Sequence, residues 1–171
     1  MRRVEILGNS PKIDSTAYVA ETAVLIGDIE VGSRSSIWEN AVLRADWNKI
    51  RIGTHTSIQD NVTLHVTPFS PTLIGDYVTV GHNAMIHGAQ IGSNVIIGIS
   101  SVVLDGAVVE DNSMVAAGAV VPPKMEVPSG HLAAGVPAKL REFKGDPNRL
   151  RMNAEGYVAL AEEYLKLKKS P

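Results

Sequence analysis

The sequence predicts a mostly β protein, a three-sided parallel solenoid of about six turns closed by one C-terminal α-helix. Three observations carry this reading. Aliphatic residues recur every six positions, the chain is rich in Ile, Leu and Val but poor in aromatic rings, and an apolar stripe at helical spacing begins only near residue 150. At 171 residues the chain has the length of one folded domain with an appendage. It divides into a repeat over 11–127, an exit loop over 128–147 and a helix over 148–169.

The period of six runs through most of the chain. Ile13, Val19, Leu25, Val31, Ile37 and Leu43 fall at steps of six, as do Ile91, Ile97, Val103, Val109, Val115 and Val121. Between them sit Ile52, Ile58, Leu64 and Ile74, Val80, Ile86, which completes six sets of three anchors. Six residues suit one short strand and a bend, and three such units make a triangular coil. Coils stacked at the ~4.8 Å strand spacing then point their anchors into a narrow aliphatic shaft. Such a shaft has little use for rings, in keeping with only eight aromatic residues in 171. Six glycines directly follow an anchor (Gly32, Gly53, Gly75, Gly81, Gly92, Gly98), where they are expected to supply backbone angles denied to other residues.

After Val121 the chain becomes Pro-rich, with Val121-Pro-Pro-Lys and Gly135-Val-Pro-Ala-Lys139. Gly145-Asp-Pro-Asn offers helix-start residues, and Leu150, Ala154, Tyr157, Val158, Ala161, Tyr164 and Leu165 form the stripe that lays the helix along the solenoid. The basic end, Lys166-Leu-Lys-Lys, suits a helix C-terminus.

Composition narrows the function. A net charge of −2, with 44% hydrophobic and 20% charged residues, speaks against disorder and against a nucleic-acid surface. With no cysteine, thiolate catalysis and cysteine-bound metal are excluded, so any metal must rest on nitrogen or oxygen. Met1-Arg-Arg-Val-Glu-Ile-Leu-Gly reaches Gly8 without an apolar export core, and no stretch approaches the ~20 apolar residues of a membrane span. The expectation is a cytoplasmic protein that acts on small molecules or on copies of itself.

Three steps break the period: nine residues from Leu43 to Ile52, ten from Leu64 to Ile74 and five from Ile86 to Ile91. All follow the third anchor of a turn, so they lie along one edge, the usual place for a solenoid's binding face. The histidines lie there too. His65 follows Leu64 and His87 follows Ile86, which stacks the two imidazoles about one strand spacing apart, within reach of one ion. His82 follows Val80 by two and belongs to the preceding side of the prism, too far to share that ion within one subunit. It could complete a site from a neighbouring copy around a three-fold axis. The plainer alternative is a set of solvated surface histidines, which is the reading for His55 and His131.

Leu43-Arg-Ala-Asp46, Ser57-Ile-Gln-Asp-Asn61, Leu64-His65 and Gly81-His-Asn-Ala-Met-Ile-His87, in this order and spacing, resemble the γ-class carbonic anhydrases, a branch of the hexapeptide-repeat family. The resemblance implies a left-handed parallel β-helix and a homotrimer with one metal ion at each interface, bound by His65, His87 and a neighbour's His82. It implies Zn2+, with Fe2+ or Co2+ in related enzymes, and reversible hydration of CO2 to bicarbonate by a metal-bound hydroxide. It makes Gln59 a hydrogen-bond partner of the metal-bound water and Tyr157 the helix tyrosine that reaches the site, with Asn153 beside it. Packing within the helix stripe remains the competing reading for Tyr157.

Arg44 shares the column of His65 and His87, while Asp60 shares that of His82. If the columns meet across an interface, Arg44 faces a neighbour's Asp60 and sets the trimer register. Asp46 is placed to orient a ligand histidine or the arginine, or to cap its loop. The chain departs from the best-known family members where they carry proton-transfer glutamates: Trp47 stands beside Asp46, and Val66-Thr-Pro-Phe-Ser-Pro-Thr72 has no acid. Three other functions remain open at this point. They are a hexapeptide acyltransferase, a thioester hydrolase, and a weakly active, metal-stabilised scaffold.

Overall fold

A computed structural model describes residues 1–169 and forms a left-handed parallel β-solenoid of about seven coils with one C-terminal helix. The second face shows the stacking most directly. Tyr18–Val19, Ser36–Ile37, Ser57–Ile58, Thr79–Val80, Ile96–Ile97, Met114–Val115 and His131–Ala134 pair in parallel, one above the other. The other two faces join because Val24–Val31 and Val42–Ile52 run unbroken around the corner between them. Every anchor but one is buried, twelve of them fully; Ile13, on the terminal coil, is half-buried because its outer side has no neighbour.

The corners correct one expectation. The left-handed backbone conformation falls three residues after the anchor, and the glycines placed one residue after it do not adopt it. Asn40, Asn61, Asn83, Asn94 and Asn112 hold φ between 57° and 59° at that third position, and Gly106, Gly118 and Gly130 take the same place in later coils. Asn tolerates this region through its short polar side chain. The glycines one residue after the anchor are required by close approach instead. A Cβ at Gly32 would lie 2.5 Å from the Gly53 carbonyl oxygen, and one at Gly75 would lie 2.8 Å from that of Gly92.

The repeat also extends beyond both expected ends. Arg2–Val4 pairs with Val24–Ile26 ahead of the first anchor. The expected exit loop, 128–147, contains two strands. His131–Ala134 continues the second face, and Lys139–Glu142 folds back antiparallel upon it. Ala133 takes the anchor position six residues after Val127, fully buried, and this makes the seventh coil.

The helix, Pro147–Lys169, packs on the second face and runs back down the coils. Asn94 Nδ2 donates to the Pro147 carbonyl at 3.3 Å, the Arg151 guanidinium lies 3.9 Å from the Tyr77 ring centre, and Arg34 pairs with Glu162 at 2.5 Å. Leu150, Ala154, Val158 and Ala161 are its buried stripe. Tyr18, Trp38, Tyr157 and Tyr164 gather where the round helix meets the flat face, with ring centres 5.1–6.1 Å apart. Rings fill the one irregular seam that aliphatic residues do not. His55 belongs to this seam and is not a solvated surface residue: it is half-buried and stacks on Tyr77 with centroids 4.7 Å apart.

Candidate metal site

The three breaks in the period shape one corner of the solenoid. The first is absorbed in the long strand Val42–Ile52, which carries Asp46 and Trp47 outward. The second is the turn at 66–71, where the Thr67 hydroxyl accepts hydrogen bonds from the backbone N–H groups of Phe69 and Ser70. The third is a tight bend in which Gly88 takes a φ of 57°. A buried hydroxyl ties these last two together: Thr72 Oγ1 donates to the His65 carbonyl at 2.5 Å and accepts the Gly88 N–H at 3.0 Å. The His65 backbone and the residue after His87 are therefore clamped to one side chain.

On this corner Arg44, His65 and His87 stand in register in successive coils. His65 is 8% exposed, and its Nδ1 lies 2.9 Å from Nε2 of His87, with the ring centres 4.9 Å apart. Nε2 of His65 faces Asp46 at 3.2 Å, and Asp46 also holds Arg44. On the far side, Nδ1 of His87 faces Asp105. Burial pushes the His65 pKa below its ordinary value, and the Arg44 and His87 charges add to that lowering against the Asp46 hydrogen bond. Burial would raise the Asp46 pKa, but its hydrogen bonds to Arg44 and His65 outweigh this and hold the carboxyl below the ordinary value. Near neutral pH the pair is therefore a carboxylate and a neutral imidazole.

The second cluster lies on the next face. His82 Nδ1 pairs with Asp60 at 2.9 Å, and the buried Gln59 accepts the His82 backbone N–H at 3.1 Å through Oε1. Gln59 and His82 line a hollow with Asn153 and Tyr157 from the helix, walled by Ile97, Ile99 and Met114. Tyr157 serves both readings made of it, since it packs against Trp38 at 6.1 Å and lines this hollow. Within the chain Arg44 pairs with Asp46 and Asp60 with His82, so each member of the expected Arg44–Asp60 contact already has a partner of its own.

The expected site residues thus divide into two half-sites, His65 and His87 with Arg44 and Asp46, and His82 with Gln59, Asp60, Asn153 and Tyr157. Among the described residues no three His, Asp or Glu side chains converge as a metal cage. The first half-site nevertheless fits a metal on its donor chemistry. A carboxylate stands behind each ring as an acceptor at its outer nitrogen, Asp46 at Nε2 of His65 and Asp105 at Nδ1 of His87. The two inner nitrogens face each other at 2.9 Å, a spacing bridged either by one shared proton or by a cation. Ligand imidazoles held from behind by carboxylates are a recurrent arrangement at metal centres.

Two participants escaped the sequence reading. Asp105 lies two residues after anchor Val103, in the coil after His87, and register alone could have put it within reach. Thr72 carried no motif signal.

Comparison with known proteins agrees with this architecture. Residues 88–123 match the family "Bacterial transferase hexapeptide (six repeats)", and 71–98 match "Hexapeptide repeat of succinyl-transferase". The chain is 41% identical to "Gamma carbonic anhydrase 2, mitochondrial" of Arabidopsis thaliana over 93% of its length, and spans 60% of that relative. It is 40% identical to a protein of Methanocaldococcus jannaschii named "Probable carbonic anhydrase", covering 88% of this chain and 96% of that one. Among solved structures, a hexapeptide transferase family protein from Anaplasma phagocytophilum superposes with a TM-score of 0.92 at 41% identity, covering 95% of this chain and 98% of that one. Repeat, fold and relatives agree: the chain belongs to the γ-class carbonic anhydrase-like branch of the hexapeptide-repeat, left-handed β-helix family.

Proposed function

We propose that this protein catalyses the reversible hydration of CO2 to bicarbonate at the interfaces of a homotrimer. His65 and His87 of one chain and His82 of the next would hold Zn2+, or Fe2+ or Co2+ in its place. The observation that carries this is the division of the site: a pair of imidazoles with inner nitrogens 2.9 Å apart on one face, and a third histidine beside a lined hollow on the adjoining one. Neither half is sufficient alone, and a heterologous ring contact is the arrangement that joins unlike faces of identical chains. When bound, the ion supplies a Lewis acid that eases the ionisation of water near neutral pH.

The chain's own groups prepare the rest. The Gln59 carbonyl is engaged by the His82 backbone, so its NH2 end serves as the donor toward the hollow. Tyr157 and Asn153 face the same space from the helix. Ile97, Ile99 and Met114 give CO2 an apolar wall. Neither Trp47 nor the 66–72 segment offers the acid that the best-known members use for proton transfer.

The names of similar solved structures, such as the hexapeptide transferase from Anaplasma phagocytophilum, raise acyl transfer as the second reading. An acyltransferase needs one histidine base, and two carboxylate-backed imidazoles 2.9 Å apart are not explained by that need.

Mixed chains test the proposal. His65→Ala and His82→Ala proteins, each inactive alone, are co-refolded in equal amounts with Zn2+ and assayed by stopped-flow CO2 hydration. Random assembly around a three-fold axis restores about one quarter of the sites. No recovery in proven mixed trimers overturns a ligand set drawn from two chains, and loaded wild type without hydration overturns the activity.

A further inference from the structure

Asp105 sits on the corner after Val103, and its carboxylate reaches back one coil to Nδ1 of His87. The Asp105 backbone is itself pinned, since its carbonyl accepts the Lys124 N–H at 2.9 Å. We propose that Asp105 is a positioning residue of the metal half-site, holding His87 in the tautomer whose bare Nε2 faces His65. The inference rests on the metal reading above and concerns what prevents the two histidines from satisfying each other.

The pair at 2.9 Å has two ways to settle. If His87 carries its proton on Nε2, it donates to Nδ1 of His65 and the pair closes as an internal hydrogen bond. That bond must be broken before an ion can enter. If His87 carries its proton on Nδ1, the inner nitrogens are both bare and form a two-toothed donor. The choice belongs to whatever faces Nδ1, and an ionised carboxylate, having no hydrogen to give, selects the second state. Asp46 makes the same choice for His65 from the other side, at 3.2 Å from Nε2. Both carboxylates are needed, because one donor proton on either inner nitrogen suffices to close the pair. The negative charge behind the ring also makes Nε2 a stronger ligand.

Asp105→Asn is the informative substitution, since its NH2 can donate to Nδ1 and so favours the closed tautomer, whereas Asp105→Glu keeps an acceptor. Metal-free protein labelled with 15N is read first by two-bond 1H–15N correlation of the histidine rings. Wild type is expected to show His87 protonated on Nδ1, and Asp105→Asn on Nε2. Zn2+ competition with a chromogenic chelator is then expected to give about 10–100-fold weaker binding for Asp105→Asn, largely recovered in Asp105→Glu. A His87→Ala control reports loss of the ligand itself. Wild-type His87 protonated on Nε2, or equal Zn2+ affinity in wild type and Asp105→Asn, overturns the assignment. Should wild type bind no Zn2+, the metal reading falls, and the ring spectra still decide whether Asp105 sets the tautomer.

Discussion

Replacing Thr72 by Val isolates one hydroxyl that holds two parts of the metal half-site together. The side chain is fully buried, and its oxygen donates to the His65 carbonyl at 2.5 Å while accepting the Gly88 N–H at 3.0 Å. Valine keeps the shape and removes both bonds. His65 O and Gly88 N retain each other at 3.1 Å, so neither group is orphaned and no desolvation penalty is added. The cost is then that of two ordinary buried hydrogen bonds, about 1–3 kcal/mol. For a chain of this size that lowers Tm by about 2–12 °C, at roughly 2–4 °C per kcal/mol. Calorimetry of the metal-free protein measures it, and chelator competition reports the accompanying loss of Zn2+ affinity as the two strands shift independently. A variant that melts within a degree of wild type and binds Zn2+ equally well would show that the bridge through Thr72 carries no strain between His65 and His87, and would refute the clamp.

Other perturbations test separate links. The Tyr18 phenol, pushed up to about 12 by burial and then by the Glu39 charge, keeps its proton where an unfolded tyrosine, near 10, has lost it. Stability therefore falls as pH climbs between those values, and urea midpoints of wild type and Tyr18→Phe should diverge there. In acid, the unfolded chain takes up protons that folded His65 and Asp46 resist, first below 6.5 for the imidazole and then below 3.8 for the carboxylate. Metal-free wild type should lose stability over that descent more steeply than His65→Gln, read from the same midpoints. Gly32→Ala presses a methyl against the Gly53 carbonyl of the next coil and should cost about 1–3 kcal/mol in calorimetry, the usual penalty of overpacking. Trp47→Glu restores an acid at the mouth of the His65 half-site and should raise hydration in weak buffer with unchanged zinc content; an unaltered buffer dependence would exclude proton transfer as the limiting step.

The period of six could be read as a fold because each anchor repeats the same local problem, one aliphatic side chain turned into a shaft and one bend to the next face. Register follows from that repetition, which is why Arg44, His65 and His87 could be aligned in one column and His82 assigned to another face before any coordinates. The signal failed where the repeat used atypical residues. Ala133 is too small to be counted as an anchor, and Arg3 stands opposite Leu25 on the first coil, where an exposed edge needs no aliphatic side chain.

Glycine placement showed a subtler limit. The sequence could mark which corners were crowded, but φ and close approach both select glycine, and only the stacked backbone separates them. Asp105 and Thr72 reach their partners through side-chain direction across coils, which no six-residue template encodes. His55 and Tyr77 each stand three residues after an anchor in adjoining coils, Ile52 and Ile74, and only the stacked corners show that their rings pack on each other.

By itself, then, the order of residues determined the coil, its register and which histidines share a column, because these arise from a short-range pattern repeated many times. The tertiary structure alone decided which oxygen sits behind each imidazole, and with it which ring nitrogens are bare. Hydrogen bonds are directional over a few tenths of an ångström, and that precision exists only once the coils have stacked.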